Sequence, residues 1–68
     1  MRFSEVMAFY DYKMINIVKN VKVARETVKS WKLKDNIPFD KQCIIQVLSG
    51  GKLIARKEDD NEYKFYGK

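Results

Sequence analysis

The chain predicts a mainly α domain of four to five short helices, ending in a short β-hairpin or an extended tail. Three features carry that expectation. Apolar side chains recur at helical spacing through residues 17–32 with one short break, and a proline and a glycine pair bracket a second amphipathic run over residues 38–51. After Gly51 the pattern shifts to residues that favour strands, and with 68 residues in all the chain has room for one domain, residues 1–68. A domain of this size buries only about 60% of the surface its unfolded chain exposes, so a partner subunit would add stability.

In chain order, Ser4 is the expected N-cap of a first helix running to about Tyr10, with Val6, Met7 and Tyr10 at helical spacing. Phe3, just ahead of the cap, is placed to staple onto Ala8 or Met7. Asp11 caps a second helix over residues 12–21, whose buried stripe is Met14, Ile17, Val18 and Val21. Lys22 and Val23 turn the chain, and Ala24 starts a third helix that reaches about Leu33, with Val28 and Trp31 repeating the apolar face. Two short helices meeting at an angle across such an elbow form a helix-turn-helix. Lys34, Asp35 and Asn36 end the third helix, and Pro38 fits the first turn of a fourth, where its missing N–H costs nothing. Phe39, Cys43, Ile44, Val47 and Leu48 fall on one helical face, which makes Cys43 a buried thiol in this reading. Gly50 supplies a left-handed C-terminal stop. Residues 52–57 and 62–66 can then pair as strands across the acidic turn at 58–61, the competing form being an extended tail packed by its aromatics.

Charge is distributed unevenly. The chain is 46% hydrophobic and 34% charged, as expected of a folded protein, and carries a net +5. Residues 13–34 hold seven basic side chains, Lys13, Lys19, Lys22, Arg25, Lys29, Lys32 and Lys34, against the single acid Glu26, a local +6. The remaining 46 residues hold seven basic and eight acidic side chains, a balance of −1. Excess positive charge confined to two helices is the footprint of a phosphate-binding surface, whereas a merely solvated cationic face would spread its charge. No apolar stretch long enough to span a membrane and no signal-peptide pattern is visible, and one cysteine suits a reducing cytoplasm.

With these elements in order, the chain resembles the small Cro-type repressors of temperate bacteriophages, in the lambda-repressor-like helix-turn-helix family. The resemblance runs from about Glu5 to Arg56. It rests on the hydrophobic pattern around the turn, on VKSWK (28–32), on Ile37-Pro38 opening the fourth helix and on LSGGKL (48–53) closing it. It implies a phage- or prophage-encoded regulator, working in the cytoplasm of a bacterial host, that binds double-stranded DNA as a homodimer. Two positions depart from the family pattern: Val18 stands where a small residue is usual and Lys22 where a glycine is usual. A lysine takes the left-handed conformation at a cost of about 1 kcal/mol.

A third helix docked in the major groove turns its N-terminal part toward the base edges. Arg25, Glu26, Lys29 and Ser30 are therefore the candidate base readers. Arg25 or Lys29 would donate to guanine, Glu26 would accept from a cytosine amine, and Ser30 is permissive. Glu26 reads equally well as an intrahelical partner of Lys22, Lys29 or Ser30. Lys13, Lys19, Lys22, Lys32 and Lys34 are the candidate phosphate contacts, which set register without reading sequence, and free N–H groups near Tyr12 and Lys13 could hold a further phosphate. Trp31 shares the Val28 face and is expected in the core. Residues 53–66, with Tyr63, Phe65 and Tyr66, are the candidate twofold interface, placing two third helices about 34 Å apart on a pseudo-palindromic operator.

An enzyme is the least expected class. The chain has no histidine, no glycine-rich phosphate loop and no paired-carboxylate layout, and no cofactor or metal centre is expected. Asp59, Asp60 and Glu62 read as a solvated acidic turn rather than a cation site. The main alternative is a protein-interaction module of the same helix-turn-helix fold, of antirepressor or antitoxin-like kind. RNA binding is less expected, for want of a recognised sheet or loop signature.

Overall fold

The computed structural model describes residues 1–62, in which four helices surround a core of Phe3, Val6, Tyr10, Ile17, Val21, Val28, Trp31, Ile37, Ile45 and Leu53 together with Met1. The first helix, α1 (Phe3–Phe9), begins earlier than a Ser4 cap would allow. Arg2 takes the cap position and its N–H donates to Glu5 Oε1 at 2.7 Å, so the acid in the first turn satisfies a backbone donor that the helix itself cannot. Phe3 is consequently the first helical residue and lies in the core, not outside the helix as a staple.

The link to the next helix is tighter than the expected Asp11 cap. Asp11 and Tyr12 both adopt the left-handed conformation, with φ of 60° and 59°, and the Tyr12 N–H donates to the Met7 carbonyl at 2.6 Å. Helix α2 (Met14–Ile17) therefore starts two residues later than expected, after Lys13 at its cap. It passes into a single π-helical turn (Val18–Lys22) in place of the expected regular helix to Val21. The widened turn begins at Val18, which is half-buried. Ile17 and Val21 are buried, Met14 half-buried. Lys22 then breaks the helix with a φ of 61°, in the left-handed region, and Val23 runs extended and half-buried behind it.

Helix α3 (Arg25–Lys34) follows one residue after Ala24, which caps it in extended conformation. Val28 and Trp31 are buried, as their spacing predicts. Asp35 turns left-handed at φ 50° and the Asn36 N–H closes the helix end on the Trp31 carbonyl at 3.0 Å. Asn36 is not a solvated turn residue. It is 4% exposed and its amide joins the C-terminal segment.

Helix α4 (Phe39–Leu48) departs most from expectation. Pro38 stands at its cap, one residue ahead of the first turn. Its buried side is Gln42, Ile45 and Ser49, while Cys43, Ile44, Val47 and Leu48 are exposed and only Phe39 of the expected stripe is half-buried. The expectation of a buried thiol at Cys43 is thus overturned. The cause is polar. Gln42 Nε2 donates to the Ile37 carbonyl at 2.9 Å, and Gln42 Oε1 accepts from the Met1 ammonium at 2.7 Å and from the Arg56 N–H at 2.8 Å. Gln46 Oε1 accepts from the Ala55 N–H at 2.8 Å, and Ser49 Oγ from the Leu53 N–H at 3.0 Å. Facing these groups outward would leave several backbone donors without partners, at about 1–3 kcal/mol for each one buried. No buried side-chain polar atom among the described residues lacks a partner.

Gly50 and Gly51 turn the chain at φ 67° and 83°, and the Gly51 N–H returns to the Gln46 carbonyl. The following residues 53–56 are not half of a hairpin. Among the described residues there is no strand, and this segment lies along α4, held by the glutamine and serine side chains in place of a neighbouring strand. A 3-10 turn (Lys57–Asp59) occupies the expected hairpin loop. The second expected strand lies, from Tyr63 onward, outside the described residues.

The acidic run is solvated only at Glu58 and Glu62. Asp59 pairs with the Met1 ammonium at 3.1 Å, and Asp60 is 9% exposed. Asp60 Oδ1 accepts from Asn36 Nδ2 and from the Glu62 N–H, both at 3.0 Å, and Oδ2 accepts from the Phe39 N–H at 2.8 Å. Asp60 therefore caps α4 from twenty-one residues away.

Candidate nucleic-acid interface

The elbow at Lys22 sets how α2 and α3 meet, and the burial of Val28 and Trp31 rotates α3 about its axis. With those two side chains inward, helical periodicity puts Glu26, Lys29, Ser30 and Leu33 on the opposite face, with Arg25 and Lys32 on its flank. Arg25, Glu26, Lys29 and Lys32 are exposed and Ser30 is half-buried, so the four candidate base readers lie along the outer side of one helix, Arg25 at its edge. Glu26 makes no ion pair with Lys22 or Lys29 among the described residues.

Leu33 is the residue the sequence reading passed over. It lies in the middle of this face and is 88% exposed, more than any other large apolar side chain described. Its signal was present in the spacing: Leu33 falls off the Val28–Trp31 stripe and onto the stripe of Glu26, Lys29 and Ser30.

The candidate phosphate contacts divide. Lys13, Lys19, Lys22 and Lys32 are exposed, and with Arg25 and Lys29 they have no acidic partner among the described residues. Lys34 is different, because Glu62 Oε2 lies 3.4 Å from its Nζ. Both side chains are more than half exposed, so that pair is weak and separable. The anion site expected at the start of the second helix is not available as drawn. The Tyr12 N–H is bonded to the Met7 carbonyl and the Lys13 N–H to the Tyr10 carbonyl at 3.2 Å, because the left-handed turn uses the donors an anion would need.

Beside α3 an open groove of about 300 Å³ is lined by Glu26, Thr27, Ser30, Trp31, Lys34, Asn36, Pro38 and Glu62. Glu26 and Ser30 thus border a recess, whereas Arg25 and Lys29 are exposed outside it. Exposed, unpaired positive charge suits a polyanion better than a small ligand. Among the described residues no group of three or more acidic or cysteine side chains is arranged to hold a metal ion, and no helix is long and apolar enough to cross a membrane. No protein-family model, no curated protein and no solved structure matches this chain.

Proposed function

We propose that this protein is a sequence-specific double-stranded DNA-binding regulator of Cro-like repressor type, which lays α3 in the major groove and acts as a dimer on a pseudo-palindromic operator. The observation that carries the reading is the run of exposed, unpartnered cations over residues 13–32. Lys13, Lys19, Lys22, Arg25, Lys29 and Lys32 come from two consecutive helices and the elbow between them, and none is neutralised by an acid among the described residues. A polyanion of regular charge spacing neutralises such a run at once and releases its counterions.

Within the reading the roles differ. Arg25 and Lys29 donate to guanine edges, Glu26 accepts from cytosine, and Ser30 tolerates either. Leu33 adds an apolar contact of the kind that fits a thymine methyl. Lys13, Lys19, Lys22 and Lys32 hold phosphates, and Lys34 joins them once Glu62 releases it.

Binding to random and selected duplexes, measured across salt concentrations, tests the proposal. Lys32→Ala should weaken binding to every sequence and flatten the salt slope by about one unit, while Arg25→Ala should cost about 1–3 kcal/mol at one base pair. Equal losses on selected and random duplexes from both variants would refute the division of roles. One observation favours a protein-interaction module as the second reading: a leucine 88% exposed at the centre of the face is also what a protein partner would bury. Duplex binding without steep salt dependence, or none at all, selects that alternative.

A further inference from the structure

One face of α4 has no other part of the described chain packed on it. Ile44, Val47 and Leu48 follow each other at helical spacing and are 43%, 78% and 50% exposed. No charged residue interrupts residues 42–51, and the charges of the helix, Asp40 and Lys41, lie in its first turn. The opposite side is fully occupied, by Ile45 in the core and by segment 53–56 bonded to Gln42, Gln46 and Ser49. The other large exposed apolar side chains, Phe9, Tyr12, Ile15, Leu33 and Ile54, stand on other elements.

We propose that this face binds the same face of a second copy of the chain, the two α4 helices lying antiparallel about a twofold axis. Charge selects both the occupant and the direction. The first turn of the helix carries Asp40, and Lys52 follows the glycine turn at its end, both exposed. An antiparallel pairing centred on the apolar run lays Ile44 against the partner's Leu48 and sets each Asp40 beside the partner's Lys52. A parallel pairing would set Asp40 against Asp40. The size of the face fixes the strength. Its three side chains expose roughly 300 Å² per copy, well under the ~800 Å² per partner of a standard stable interface. The dimer is therefore weak when free and becomes firm when a second tether, a duplex carrying two half-sites, holds both copies. In this respect the inference rests on the DNA-binding reading and names its protomer–protomer surface, in place of residues 53–66.

The test uses the full chain and four variants: Val47→Lys, Asp40→Lys, Lys52→Asp and the double exchange Asp40→Lys with Lys52→Asp. Each is first checked by circular dichroism for a wild-type spectrum and melting curve, which exposed positions should preserve. Sedimentation from micromolar to millimolar concentration then reads self-association, and band shifts on duplexes with one or two half-sites read assembly on DNA. The wild type should associate weakly, Val47→Lys and each single charge reversal should reduce association at least tenfold, and the double exchange should restore it. Val47→Lys should lose the advantage of two half-sites over one while binding one half-site as the wild type does. Association unaffected by Val47→Lys, or a double exchange that fails to restore it, overturns the interface and leaves single-site DNA binding untouched. A chain that is monomeric at every concentration and on the duplex overturns it too. Association that Val47→Lys abolishes in a protein with no duplex binding supports the interface and refutes the DNA reading.

Discussion

Asp60→Ala should be among the most destabilising single substitutions in this domain. The magnitude follows from the three donors it would strand. Asn36 Nδ2 is buried and loses its acceptor, which costs about 1–3 kcal/mol, and the Phe39 N–H loses its cap at the start of α4, about 1 kcal/mol. The Glu62 N–H, on an exposed residue, rehydrates at little cost. The expected loss is about 3 kcal/mol, set against a total of roughly 3–10 kcal/mol for a chain of this length. At about 4–8 °C per kcal/mol, the melting temperature should fall by roughly 12–24 °C. Urea and thermal unfolding at pH 7, followed by helical circular dichroism, measure it directly. Acid adds a second readout. Burial pushes the Asp60 carboxyl up, but the hydrogen bonds from Asn36, Phe39 and Glu62 together outweigh that and bring it below its ordinary value of 3.8. A carboxyl lowered in the folded state contributes stability that is complete above 3.8 and is lost as pH falls through the folded-state value. Asp60→Asn keeps the shape but turns an amine toward one donor, so it should lose less than Asp60→Ala at pH 7 and lose this part of the acid dependence. A loss under about 0.5 kcal/mol for Asp60→Ala, the level of an ordinary surface aspartate, would refute the account of Asp60 as a cap.

Two further substitutions separate stability from binding and polarity from size. Lys22→Gly should raise stability by about 1 kcal/mol, because a φ of 61° strains a lysine and suits a glycine, yet weaken duplex binding by removing a phosphate contact; a less stable variant in urea titration would contradict the strain. Gln42→Leu nearly keeps the volume of a fully buried side chain but strands the Ile37 carbonyl and the Arg56 N–H, so it should destabilise by about 2–4 kcal/mol despite being more apolar; an unchanged urea midpoint would refute the polar explanation of how α4 is oriented.

Much of the backbone was legible from local chemistry. Trp31 and Val28 went to the core, Gly50 took a left-handed conformation, and α3 shifted by a single residue, because each outcome depends on neighbours a few positions away. The placing of Arg25, Glu26, Lys29 and Ser30 along the outer side of α3 was legible for the same reason. Helix α4 was not. Its apolar residues form a consistent stripe by periodicity alone, but the buried side is chosen by where three backbone N–H groups of residues 53–56 find acceptors, a demand that arises 4, 9 and 14 residues downstream. Asp60 was missed likewise, since its partners Asn36 and Phe39 lie more than twenty residues away. The π turn at Val18 is a second feature that the helical pattern did not record.

The clasp that residues 53–62 form over α4 also sets an order of events in time. Its acceptors, Gln42 Oε1, Gln46 Oε1 and Ser49 Oγ, come into line only once α4 is wound, and the Asp60 cap needs Asn36 and Phe39 already brought together at the α3–α4 corner. The helices should therefore assemble before the clasp closes. On unfolding the order should reverse. The amide hydrogens of Leu53, Ala55 and Arg56 should then exchange with solvent through local opening ahead of those inside α3, which hydrogen exchange would measure.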